Sequence, residues 1–198
     1  MTAASRPTHR PSIRHVETID GVTVPVSISG QEEGRTVIMF DRGARATSAY
    51  NLVRDRLHVA MFRTVVVYPH DELTPKAAFS VLDRVKVAGG LLVGDGTDGE
   101  LAWGLAAAYG ARFTGLVAID CGHPSVPGVD GDVRDTQCPA VEVDTTVLVS
   151  CPAAHAVATA SRRMVQGEFR LVDLAGPRTS RHFAAQLATE IVVRALAR

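Results

Sequence analysis

Lysine is nearly absent: among the 21 basic residues only Lys76 and Lys86 are not arginine. With the wealth of alanine and valine, this is the bias of a GC-rich bacterial genome, and it carries no functional meaning. An excess of charge is missing as well. The 21 acidic residues balance the 21 basic ones, which argues against nucleic acid or an anionic membrane as partner. Cysteine is scarce. Cys121, Cys138 and Cys151 form an odd set without C-x-x-C spacing, so neither a disulfide framework nor a zinc knuckle is indicated. No apolar run approaches the roughly 18 residues of a membrane span. The opening "MTAASRPTHRPSIR" lacks the apolar core of a signal peptide, and a cytoplasmic protein is the expectation. Residues 1–12 read as a disordered tail, and 13–198 as a single domain long enough for a sizeable core.

The rest of the chain alternates regularly. "IRHVETI", an Asp20-Gly21 pair and "VTVPVSIS" spell a β-hairpin, with Pro25 demoting the second strand towards an edge. Short apolar runs then follow at 36–40, 62–68, 87–93, 114–119, 145–150 and 169–174, as in a parallel sheet buried on both faces. Helical patterns lie between them. Thr74 and Pro75 form a good helix start, Gly110 reads as a C-cap, and Phe183, Leu187 and Ile191 stripe a closing helix. The stretch 121–144, rich in Gly, Pro and Asp, reads as loop.

The stretch "LLVGDGTDGELAWG" (91–104) supports two functional readings. Gly94, Gly96 and Gly99 spell G-x-G-x-x-G, with Asp120 about 20 residues on, as in a dinucleotide site. Against this, Asp95, Asp98 and Glu100 crowd the helix start where a pyrophosphate would bind. The other reading is the strand–turn–helix corner that carries a hydrolase nucleophile. Over "LVGDGTDGELAWGLAAAYGARFTGLVAID" the chain resembles the α/β-hydrolase family without a gap, and its order of hairpin, alternating strands and helices, and closing helix extends the resemblance over nearly everything after the tail.

That resemblance implies an α/β-hydrolase-like, doubly wound, mostly parallel sheet of about eight strands with an N-terminal antiparallel hairpin; the cap that the family carries between its sixth and seventh strands shrinks here to the 121–144 link, so no cap domain is expected. It also implies where catalytic residues should stand: His-Gly after the third strand, G-x-S-x-G after the fifth, an acid after the seventh and Gly-His after the eighth. Here these places hold Asp41-Arg42-Gly43, Gly96, Ala153 (in "CPA") and Pro177. Nucleophile, acid and base are all missing, so the expectation is a pseudo-hydrolase that acts by binding a small molecule or a protein partner.

Candidate binding residues sit at the predicted carboxyl edge of the sheet: Asp41, Gly43, His70, Asp95, Thr97, Cys121, His123 and Cys151. A metal site of His70, Asp95 and His123 is conceivable, although its spacing matches no ligand pattern. Cys121 or Cys151 with His70 or His123 would make a thiol nucleophile. The plainer reading is of polar loops and small buried thiols. No cofactor and no metal is expected. An enzyme with displaced, non-serine chemistry is the alternative, dinucleotide binding is the second alternative, and a homo-oligomer stays open.

Overall fold

The computed structural model describes residues 12–42, 48–70 and 73–197. Most of the expected tail, residues 1–11, lies outside the described residues, and Ser12 opens the first strand. β1 (Ser12–Glu17) and β2 (Thr23–Gly30) form the antiparallel hairpin, its turn closed by Gly21 at φ 79°. β3 (Thr36–Phe40), β4 (Arg63–Val67), β5 (Gly90–Asp95), β6 (Phe113–Ile119), β7 (Thr145–Val149) and β8 (Phe169–Asp173) run parallel to one another. All eight lie in one sheet, ordered β1-β2-β4-β3-β5-β6-β7-β8.

Helices cover both faces. α2 (Pro75–Arg84), α3 (Thr97–Tyr109) and α4 (Pro152–Ser161) pack on one side, and α1 (Ser48–Val59) and α5 (Arg181–Leu196) on the other. The central β5 therefore has both faces buried, Leu92 towards α3 and its neighbours Leu91 and Val93 towards α1 and α5. This is why its sequence is a continuous apolar run and not an alternation. α2 starts as its sequence dictates: Thr74 Oγ1 accepts from Ala77 N at 3.2 Å, and Pro75 takes the first turn.

One expectation needs correction. β2 is not an edge strand; it lies between β1 and β4. Pro25 is tolerated because its carbonyl, on the same side as its nitrogen, accepts from Tyr68 N one residue past the end of β4. Its missing N–H therefore costs only one bond of the last rung, at the end of the ladder. Gly110 is the C-cap of α3, as its sequence indicates; at φ −49° it stays right-handed and leads into a 3-10 turn over Gly110–Arg112.

Between β6 and β7, residues 121–144 form a link without helix or named strand. Buried His123 fastens it. Its Nε2 hydrogen-bonds Pro139 O at 2.8 Å, which leaves Nδ1 to accept from Ser125 N at 3.2 Å. The far end is tied by the bridge between Val141 and Val165.

Candidate functional site

β5 ends at Asp95, and Gly96 caps α3 with φ 58° and ψ −122°. That conformation strains any residue with a Cβ, and here glycine adopts it cheaply. The sharp turn expected at Gly96 is thus present, and it presents no side chain. Gly94 and Gly99 are small because α3 starts hard against the sheet. A Cβ on Gly94 would lie 2.4 Å from Asp98 O, and one on Gly99 2.3 Å from Cys121 Sγ. Close packing alone accounts for these two members of the G-x-G-x-x-G spacing.

The strand ends around this corner are locked by charge. Tyr50, on α1, donates its hydroxyl to Asp95 Oδ2 at 2.5 Å. Arg178, in the link from β8 to α5, pairs through one terminal nitrogen with Asp95 and through the other with Asp120. Asp120 also accepts from Ser150 N at 2.6 Å and from the Ser150 hydroxyl. It holds the left-handed conformation at φ 48°, which aspartate tolerates better than most residues. Burial works against the charge on Arg178, but the two carboxylates outweigh it and raise its pKa above the ordinary arginine value.

Sequence reasoning missed Tyr50 and Arg178. The available signal was slight: an arginine one place after Pro177, where the family's base would stand, facing two aspartates at adjacent strand ends.

The other proposed site residues separate. Asp41 is buried at the end of β3, and Gly43 lies outside the described residues. Asp98, which was read only as crowding the helix start, is buried and takes the Arg42 backbone N–H at 3.0 Å and Arg42 Nε at 2.8 Å. Burial raises its pKa and Arg42 opposes the rise. Thr97 is exposed at the corner. His70 is half-buried, and its carbonyl accepts from Leu73 N. Cys121 is a buried thiol whose pKa burial, and then Asp95, pushes up, which makes a poor nucleophile. His123 has both ring nitrogens engaged, and burial lowers its pKa. Cys151 is exposed at the N-cap of α4, and Ala153 and Pro177, which the resemblance sets at the acid and base places, are exposed as well. The conceived metal site is not formed: among the described residues no three His, Cys, Asp or Glu side chains come together to hold an ion.

Three cavities flank the corner. One of about 190 Å³ lies between Asp41, Tyr50, Asp95 and Asp98. The 121–144 link, fastened by the Arg134–Glu100 pair at 3.2 Å, lines the other two. The second, about 370 Å³, runs over Gly96, Cys121 and His123. The third, about 530 Å³, has a largely apolar floor of Leu73, Pro75, Leu101, Ala108 and Pro139.

The strand order, the glycine corner and the closing helix define the α/β-hydrolase fold. Solved structures agree. Epoxide hydrolase A from Mycobacterium thermoresistibile superposes with a TM-score of 0.73 at 10% identity, covering 94% of this chain and 98% of that one. Alpha/beta hydrolase domain-containing protein 10 from mouse gives 0.71 at 12% identity, covering 92% and 97%. A loop variant of a haloalkane dehalogenase from Bradyrhizobium elkanii gives 0.68 at 11%, covering 93% and 97%. No protein-family model matches the sequence, and no curated protein matches it.

Proposed function

We propose that this chain is a catalytically degenerate α/β-hydrolase, a pseudo-hydrolase that binds a small molecule beside the corner and does not turn it over. The observation that carries the reading is Gly96 at the strand-to-helix corner, where no side chain is available to attack, with the Asp95–Arg178–Asp120 bridge at the neighbouring strand ends. The guanidinium is held by two carboxylates beside a corner that has lost its nucleophile, and Pro177 next to it stands where a base is required. Backbone N–H groups at the start of α3 remain, but without nucleophile and base they have no intermediate to stabilise. The space suited to a ligand is the 530 Å³ groove, within the usual range of small-molecule sites and with polar groups from Arg42, Thr97 and Glu100 at its rim.

Intact-mass analysis after treatment with a fluorophosphonate probe tests this directly. The expected result is unmodified protein. A stoichiometric adduct, on Thr97 or elsewhere, contradicts the reading.

A further inference from the structure

We propose that residues 124–138 form a flap that lifts off α3 as one unit and opens the groove assigned to the small molecule, and that the Arg134–Glu100 pair is the latch that holds it shut. The use of such a gate rests on the small-molecule reading above, but its opening is measured without a ligand, so the two fail separately.

The flap is bonded to itself. Arg134 N and Asp135 N both donate to Pro124 O, at 3.1 and 3.0 Å, and Gly128 N donates to Asp132 O at 2.9 Å. Asp130 and Asp132 pair with Arg134 from within the same loop. The base is fixed on both sides. His123 Nε2 bonds Pro139 O, His123 N donates to Ser161 Oγ at 2.9 Å, and Val141 N donates to Met164 O at 2.8 Å. Between these anchors, among the described residues, 124–138 has one polar tie beyond its own base: Arg134 Nε to Glu100 Oε2 on α3, at 3.2 Å. A segment bonded internally and tied outside at one point opens as a unit about its base.

Little else resists that motion. Within the flap only Pro124, Val126 and Cys138 are buried. The latch itself is an exposed ion pair, with 38% and 24% of its two side chains accessible, and such pairs are weak and screened by salt. Pro124 and Arg134 line both the 370 Å³ and the 530 Å³ cavities, and Thr97 and Glu100 are shared by the two as well. Lifting the flap therefore uncovers both at once.

The three thiols report the opening. Cys151 is exposed, and Cys121 is buried outside the flap. Cys138 is buried in the flap and lines the larger cavity, where burial, and then Asp135, pushes its thiol up to about 11. Closed, it is a poor nucleophile; open, it regains ordinary reactivity. Iodoacetamide labelling, followed by peptide mass over time, is the test, and the reagent is uncharged, so salt acts on the protein alone. In wild-type protein Cys151 should react first, Cys138 next, and Cys121 last, with global unfolding. Glu100→Gln should speed Cys138 about threefold and leave Cys121 unchanged. Sodium chloride at about 1 M should speed wild-type Cys138 by a similar factor and add nothing in Glu100→Gln. Cys138 reacting in step with Cys121 in wild-type protein overturns the flap. An unchanged Cys138 rate in Glu100→Gln, or a gain that Cys121 shares equally, overturns the latch.

Discussion

Single side chains hold the strand-end cluster, and two of them make quantitative predictions. Tyr50 is 8% exposed, and its hydroxyl donates to a carboxylate. Tyr50→Phe removes that donor without changing packing volume, and should cost about 1.5–3 kcal/mol. Thermal unfolding should show a midpoint lower by roughly 3–10 °C; an unchanged midpoint would show that the bond contributes nothing. His123 and His58 titrate with opposite preferences in the two states. Burial lowers both pKa values below 6.5 in the folded protein, where His58 sits against Thr64 at 2.8 Å. The unfolded chain then binds more protons as pH falls below 6.5. Stability should be full above that pH and decline as pH drops through the folded values. Urea unfolding followed by the emission of Trp103, the chain's single tryptophan, measures it. His123→Gln should flatten the slope, and an unchanged slope would contradict the assignment. Because the His123 ring meets Trp103 edge-on with centroids 5.6 Å apart, the same signal reports whether the 121–144 link stays seated.

At the scale of elements, the β5–α3 unit explains what the sequence could and could not reveal. Its apolar run, glycine spacing and following helix pattern are local, and the strand, corner and helix were all legible from them. Gly94 and Gly99 were visible as small residues, but whether they served a phosphate or a packed helix was decided by neighbours distant in sequence, such as Cys121. Pro25 misled because the end of the β4 ladder is set by tertiary pairing. Arg178 was illegible for a similar reason: it is 83 residues from Asp95 and 58 from Asp120, and nothing in its own loop announces two acids at distant strand ends. The packing makes its own prediction. Gly99→Ala should lower stability by about 1–3 kcal/mol through overpacking against Cys121. Adding Cys121→Ala should recover part of that loss in the double variant, and a strictly additive result would contradict the contact.

For the whole molecule, the sheet order and its likeness to epoxide hydrolase and dehalogenase structures at 10–11% identity establish the fold, and the fold alone. Function is an argument about the corner. The acids around the start of α3 also bear on the dinucleotide alternative: titration with NAD, NADP or flavin should give no heat, and micromolar binding would revive that reading. The central claim is that an intact hydrolase scaffold carries no working nucleophile, acid or base. Its most direct test is the hydrolysis rate of a chromogenic nitrophenyl ester by purified wild-type protein, corrected for buffer. The account predicts a rate indistinguishable from buffer, unchanged in Asp95→Asn and Cys151→Ala. Turnover by wild-type protein that either substitution abolishes would contradict it and identify an enzyme with displaced chemistry.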